Sequence, residues 1–245
     1  MNMDIDLNQL LETYITDKRN HPSGSPWTML NMISSKNGLA TYNGKSGPLG
    51  GPADKALFRT LRGLADVILV AAGTVRSEEY SVPIISEKTA QIRGRLHKAE
   101  LPTIVVISNS LNLDPFSPLF TSVNYRPAIL TSTSSPKHKE EELRAVADVF
   151  STAGDHVNLA EAIPYLGKSY GPLILVEGGP NLNSQLVELD LFDELCITTS
   201  PIVSSDESSP SITTSAHYDQ NEMTLDRILE VDSFSFKRYL RNLSR

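Results

Sequence analysis

The residues of this 245-residue chain that could do chemistry gather where apolar runs are broken by glycine. Leu173-Ile174-Leu175-Val176-Glu177 is a short apolar run ending in a carboxylate, the pattern of a buried parallel strand whose last residue reaches the rim of a sheet. Gly178 and Gly179 break it. Pro180 then opens a helix, because the N–H it lacks would be unpaired in a first turn and its φ is already helical. Leu182, Leu186 and Leu189, at i, i+4 and i+7, give that helix an apolar stripe. Such a turn leaves main-chain N–H groups at the positive end of a helix dipole, and its glycines let a ligand approach the backbone. The chemistry is anion binding. The alternative for this stretch alone is a plain strand-to-helix connection whose glycines serve packing.

A second stretch tips the balance. Residues 65–72 form a near-continuous apolar strand, and Gly73-Thr74-Val75-Arg76 follows at once as a second glycine turn. Two such turns on one parallel sheet open toward the same edge, where ligands of α/β proteins bind, so the pair predicts an extended anionic ligand.

The elements that position these turns can be read from the rest of the chain. Leu7, Leu10, Leu11 and Tyr14 are spaced for a short amphipathic helix, which ends before the Asn20 to Pro26 linker. This helix reads as an appendage, so residues 1–24 are taken as helical appendage and linker and 25–245 as one domain. Residues 27–33 suit a strand beside a site, 34–38 a turn, and the glycine- and proline-rich 43–52 a long loop of the kind that is often functional. Pro52 opens a helix with Ala56, Leu57, Leu61 and Leu64 on its apolar face. Residues 85–101, with Arg93, Arg95, His97 and Lys98, lack firm periodicity and read as an excursion. Strands are predicted at 103–107, 128–131 and 149–150, a solvated helix at 137–147, and a helix at 159–166 interrupted by Pro164. A strand at 195–199, a serine-rich loop at 200–210 and two alternating strands at 223–230 and 234–240 close the chain. The order predicts an α/β fold with a mostly parallel central sheet, flanking helices and antiparallel C-terminal strands.

Composition narrows the function. The net charge of -7 and the lack of a basic run argue against general affinity for nucleic acid or an anionic membrane surface. No segment approaches the apolar run of about 18 residues that spans a membrane, and the acidic N-terminal stretch is unlike a secretory signal. Cys196 is the single cysteine, reads as an inert core residue, and fits a cytoplasmic protein without thiolate metal sites. The sequence has no H-E-x-x-H, C-x-x-C, G-x-S-x-G, G-x-x-x-x-G-K-[ST] or G-x-G-x-x-G, and His21, His97, His138, His156 and His217 all read as loop or edge residues.

Three segments in order, residues 31–38 (NMISSKNG), 64–76 (LADVILVAAGTVR) and 176–182 (VEGGPNL), resemble the pyrimidine reductases of riboflavin biosynthesis, the reductase half of the bifunctional deaminase/reductase, with a dihydrofolate-reductase-like fold. The resemblance runs from about Trp27 to the C-terminus, and the zinc-deaminase half is absent. It implies a homodimeric reductase that takes hydride from NADPH and converts a phosphoribosylamino group on an aminouracil to its ribitylamino form. Carried over by position, Gly73, Thr74, Val75, Ser108 or Asn109, and Gly178, Gly179, Pro180, Asn181, Leu182 and Asn183 (the last continuing to Gln185) would contact the cofactor. Ser46, Glu78 and Glu177 would contact substrate, and Glu78 and Asn31 occupy the catalytic positions. A carboxylate suits a pyrimidine or pterin ring, which offers paired N–H donors to a two-oxygen acceptor.

The chain also departs from the family pattern. Asn31 stands where the family has a lysine, Glu78 and Asn37 stand where it has aspartates, and Ile84 and Ile85 fill the region of its phosphate-binding arginine, so Arg93 or Arg95 would have to reach back. Arg76 is the residue suggested for a 2′-phosphate. Three readings stay open: the pyrimidine reductase, a pterin reductase such as a dihydrofolate reductase on the same fold, and a non-catalytic nucleotide-binding relative.

Overall fold

The computed structural model describes residues 3–206, 209 and 223–242. Within them ten strands form one sheet: β1 (Met3–Asp4), β2 (Trp27–Ser34), β3 (Val67–Ala71), β4 (Thr103–Ile107), β5 (Ala128–Ser132), β6 (Asp148–Thr152), β7 (Leu173–Val176), β8 (Glu194–Thr199), β9 (Met223–Val231) and β10 (Phe234–Arg241). Their order across the sheet is β1-β9-β10-β8-β2-β7-β3-β4-β5-β6. From β8 to β6 every neighbouring pair is parallel, and β10 runs antiparallel to both β8 and β9. The mostly parallel sheet with an antiparallel C-terminal end is therefore as expected.

The helices are α1 (Leu7–Thr16), α2 (Pro52–Leu64), α3 (Ala72–Ser77), α4 (Glu87–Arg95), α5 (Lys137–Arg144), α6 (Leu159–Tyr170) and α7 (Pro180–Glu188). They cover the sheet on two faces, which explains why its inner strands are apolar at successive positions. In β3, Ile68 and Val70 belong to the core beneath α1 and α2, while Val67 and Leu69 belong to the core beneath α6 and α7. Each such side chain, removed from water, contributes about 1.5–3 kcal/mol.

Several expectations need correction. The turn expected at Gly73-Thr74-Val75 is the first part of α3, which begins directly from β3. The stretch expected as an irregular excursion contains α4, capped by the Ser86 hydroxyl, which accepts from the Thr89 N–H. Its buried face carries Thr89 and Arg93 in place of apolar residues, which erased the periodicity. Thr89 fits against Gly63, where a Cβ would lie 2.5 Å from the threonine Cβ. Helix α6 continues through Pro164, because Ala162, Ile163 and Leu166 keep it seated and the Ala160 carbonyl that loses a partner is on an exposed residue. In α7, Leu182 and Leu186 are buried but Leu189 is 51% exposed, so the apolar stripe is shorter than expected.

Helix α1 also packs otherwise than as an appendage. Leu10 and Tyr14 are buried in the same core cluster as α2 and β10, and Ile5 continues the tie of β1 to β9 by donating to the Glu230 carbonyl at 3.1 Å. The serine-rich loop is described as far as residue 206 and at 209; Glu207, Ser208, Pro210 and His217 lie outside the described residues.

Candidate active site

The C-terminal ends of β2, β7 and β3 meet at one edge of the sheet, and there the chain encloses a cavity of about 1050 Å³. Asn31, Met32 and Ile33 of β2 line it. Glu177 to Asn181 line one wall and Ala71, Gly73 and Thr74 the adjoining one. Asp54, Lys55, Phe58 and Arg62 line it from α2, and Thr41, Gly44, Ser46 and Gly47 from the long loop and the residues before it. The two glycine-broken strand ends are in direct contact: the Ala71 N–H donates to the Gly178 carbonyl at 2.9 Å.

The backbone here is shaped for close approach. Gly178 and Gly179 have φ of +89° and +51°, the left-handed region that L side chains rarely enter. A Cβ on Gly179 would lie 2.8 Å from the Ala71 Cβ and 3.3 Å from the Thr74 hydroxyl oxygen, so the β7 and β3 ends can touch only through glycine. Among the described residues no side chain caps the start of α7, where Pro180 and Gly179 lead into the Asn181 and Leu182 N–H groups. That is a bare helix N-terminus opening on the cavity, suited to a phosphate. The backbone geometry and cavity size therefore fit a phosphate-bearing nucleotide cofactor.

The expected cofactor residues divide into two sets. Gly73, Thr74, Gly178, Gly179, Pro180, Asn181 and Asn183 line the cavity. Val75 and Leu182 are adjacent in sequence, but their side chains are buried in the two cores, 6% and 3% exposed. Ser108 and Asn109 lie beyond the cavity lining at the end of β4. Ser108 Oγ accepts from the Leu111 N–H at 3.0 Å, and the Asn109 side chain accepts from the Val157 N–H at 3.0 Å and meets His156 Nδ1 at 3.2 Å.

Glu177, expected to contact substrate, has its partners within the chain. Arg62 grips it with two bonds, Nε to Oε1 at 2.7 Å and Nη2 to Oε2 at 2.6 Å, and the Tyr80 hydroxyl donates to Oε2 at 2.6 Å. The Arg62 guanidinium lies over the Phe58 ring at 4.3 Å and near the Tyr80 ring at 5.1 Å. Burial works against the guanidinium charge, but Glu177 outweighs it and holds Arg62 fully protonated; burial and Glu177 together push the Tyr80 hydroxyl well above its ordinary range. Arg62 and Tyr80 are residues that sequence reading missed.

Ser46 and Glu78, the other two expected substrate contacts, are bonded to each other. Glu78 Oε1 accepts from the Ser46 N–H at 2.8 Å and from its hydroxyl at 2.9 Å. This pair closes the long loop over α3. Asp206 holds the same loop from the other side, accepting from the Thr41 hydroxyl and the Gly44 N–H. Asn37 is a structural residue of this roof, donating to the Ser204 carbonyl and accepting from the Ser204 N–H.

Arg93 does not reach back toward the site. It is 2% exposed, and its guanidinium donates to the carbonyls of Gly63, Ala65 and Ala99, closing the end of α2. Arg76 lines the cavity and donates to the Asn112 carbonyl at 2.9 Å.

Comparison with known proteins bears out the resemblance carried by the three segments. The family described as RibD C-terminal domain matches residues 26–233. Among curated relatives, the chain is 25% identical over 188 residues to the 2,5-diamino-6-ribosylamino-4(3H)-pyrimidinone 5′-phosphate reductase of Archaeoglobus fulgidus, covering 76% of this chain and 85% of the relative. It is 25% identical over 192 residues to the riboflavin biosynthesis protein RibD of Bacillus amyloliquefaciens, covering 78% of this chain and 49% of that protein. A pyrimidine reductase-like protein from Corynebacterium diphtheriae superposes with a TM-score of 0.82 at 26% identity, covering 97% of this chain and 99% of the other. The riboflavin biosynthesis reductase Rib7 of Saccharomyces cerevisiae shares the fold, with a TM-score of 0.68 at 19% identity, covering 97% and 100%. The chain belongs to the RibD C-terminal domain family.

Proposed function

We propose that this protein is an NADPH-dependent reductase that converts the ribosylamino group of an aminopyrimidine ribose phosphate to its ribitylamino form. The supporting observation is the shared cavity in which the bare turn at Gly178-Gly179 meets the start of α3, with a chamber beyond β2 walled by α2. When bound, the nicotinamide would supply hydride to the carbon joined to the ribosylamino nitrogen, while that carbon's bond to the ribose ring oxygen breaks and the oxygen leaves as a hydroxyl of the opened chain. The remaining work belongs to the chain. The helix N-terminus at Asn181 and Leu182 holds the diphosphate, and Thr74 and the Gly178-Gly179 backbone align the reduced ring. Ser108 and Asn109, at the neighbouring strand end, meet the adenosine portion of the dinucleotide. Ser46 and Glu78 close the loop over the substrate, and Glu78 holds or relays the proton that the released ring oxygen takes up as the sugar opens and is reduced. Asn31 positions the sugar chain through its amide. The reaction is assigned to the cytoplasm, in keeping with a sequence whose single cysteine can form no internal disulfide. Among the described residues no helix is long and apolar enough to cross a membrane.

The decisive experiment follows reduced-nicotinamide absorbance with NADPH or NADH and the ribosylaminopyrimidine phosphate, against dihydrofolate. Turnover of the ribosylaminopyrimidine with NADPH is expected. NADPH binding without turnover of either compound would overturn the assignment.

The functional unit is proposed to be a homodimer. Leu195 packs against the core beneath α7, and farther along the same face of the C-terminal strands Ile197, Ile228 and Tyr239 are only partly buried, with Ile197 set beside Lys237 and Leu195 beside Tyr239. Light scattering at micromolar concentration should give twice the chain mass; a monomer mass would remove the dimer.

A further inference from the structure

Charge along the cavity wall is uneven. Among the described residues the lining carries four carboxylates, Asp54, Glu78, Glu79 and Glu177, and three cations, Lys55, Arg62 and Arg76. A sugar phosphate brings a further charge of about −1.5 to −2 near neutral pH, so it can rest only where a cation is not already committed. Arg62 is committed: Glu177 accepts from its Nε and Nη2 at 2.7 and 2.6 Å, and the two charges largely cancel. Arg76 is turned to the cofactor side. Its Nη1 donates to the Asn112 carbonyl at 2.9 Å, and a Cβ on Gly73 would stand 3.9 Å from its Nη2. Lys55 is left. Its side chain is exposed at the rim, and among the described residues its ammonium has neither a hydrogen bond nor an ion pair. The neighbouring Asp54 is half-buried, and its carboxyl bonds the Thr198 hydroxyl.

The rest of the wall leads to the same place. Lys55, Phe58 and Arg62 fall at i, i+3 and i+7 of α2, so they share one face of the helix, and all three line the cavity. Arg62 grips Glu177, the residue before the Gly178-Gly179 turn beside which the proposed reduction occurs, and Lys55 stands two turns away, about 10 Å along the helix axis. That is the order of length of an opened five-carbon sugar with its phosphate. A sugar chain passing the Phe58 ring from the reduced carbon therefore brings its terminal phosphate to the rim. The opposite wall offers it no place. Both donors of Ser46, its N–H and its hydroxyl, are given to Glu78, whose carboxylate repels a phosphate. Beyond Ser81 the lining segment continues into Val82-Pro83-Ile84-Ile85, which carries no charge. Exposure also suits the group, since an ionised phosphate is costly to remove from water and a lysine at the rim meets it without doing so.

We propose that Lys55 receives the terminal phosphate of the substrate, and that this contact at the rim sets the preference for the phosphorylated over the dephosphorylated sugar. This rests on the reading of the cavity as a ribosylaminopyrimidine phosphate reductase site. The ammonium acts as a point charge on a flexible stem, so the contact is charge-assisted, tolerant of geometry and open to screening by salt.

The test measures kcat and KM, with NADPH, for the ribosylaminopyrimidine 5′-phosphate and for the same compound after removal of its phosphate by a phosphatase. The proteins are the natural one and Lys55→Ala, Lys55→Arg and Lys55→Glu. The natural protein should favour the phosphorylated compound about tenfold in kcat/KM at low salt, and the preference should shrink as ionic strength rises. Lys55→Ala should erase most of that preference through KM, Lys55→Arg should keep it, and Lys55→Glu should invert it. Ribose 5-phosphate and ribose, titrated by NMR into the NADPH complex, give the same comparison without turnover. Equal use of the two compounds by the natural protein, or an unchanged preference in Lys55→Ala, overturns the inference while leaving the reductase reading intact. If neither compound is turned over but ribose 5-phosphate binds the natural protein more tightly than it binds Lys55→Ala, the reductase reading falls and the phosphate site stands.

Discussion

Glu177 shows how a functional-looking residue can be fully engaged by its own chain. Its two oxygens take three donors from Arg62 and Tyr80. Removing the guanidinium leaves a carboxylate in a buried place with one hydroxyl partner, a change that typically costs about 3–5 kcal/mol. Arg62→Ala should therefore lower the urea midpoint by a corresponding amount, and Arg62→Met with Glu177→Leu should recover part of it; unchanged stability in Arg62→Ala would show that the pair is exposed to water. The glycines on either side of this pair were legible in the sequence, because a run of apolar residues, two glycines and a proline is a local signal. Arg62 and Asp54 were not, although a signal existed. Asp54, Phe58 and Arg62 recur at i, i+4 and i+8, a second stripe on α2 beside the apolar Ala53, Leu57 and Leu61. A polar stripe reads as a solvated face unless the fold supplies the cavity that it lines.

At the level of elements, the segment after α1 is fastened by charge. Arg19 donates to Glu194 through Nε and Nη2 at 2.8 and 2.9 Å, Arg238 through Nε at 2.8 Å, and the Trp27 indole through Nε1 at 2.9 Å. Asp17 pairs with Arg227, whose guanidinium also lies 4.6 Å from the Tyr14 ring centroid. Burial alone would raise the Glu194 carboxyl, but Arg19 and Arg238 overcome it and bring it down to about 2 from its ordinary 4.5. A depressed carboxylate stabilises the fold above its unfolded pKa and loses that contribution as pH falls through the folded value, here between about 4.5 and 2. The difference is on the order of 3 kcal/mol. Acid unfolding followed by circular dichroism should steepen in that window, and Glu194→Gln should flatten the slope while lowering stability at neutral pH. None of this was visible in the sequence, where Arg19 and Glu194 are 175 positions apart and the linker between α1 and β2 looks like a boundary. Helix α4 was missed for a related reason: its buried face is carried by Thr89 and by Arg93, whose guanidinium satisfies three carbonyls, so an apolar period never appeared.

Across the whole molecule, the alternation of strand and helix was readable because the inner parallel strands β3, β4 and β7 are buried on both sides and spell themselves as nearly continuous apolar runs. Strand order was not readable, since nothing local says that β2 lies between β8 and β7. That placement has a consequence for how the chain is made. Trp27 must await Leu173, and Leu30 must await Leu195, before the middle of the sheet has either neighbour. During synthesis the first apolar strand therefore leaves the ribosome with both edges open, and most of the polypeptide has to emerge before it is enclosed. Contacts so distant along the chain slow the search for the native arrangement and lengthen the time in which nascent molecules can pair with one another.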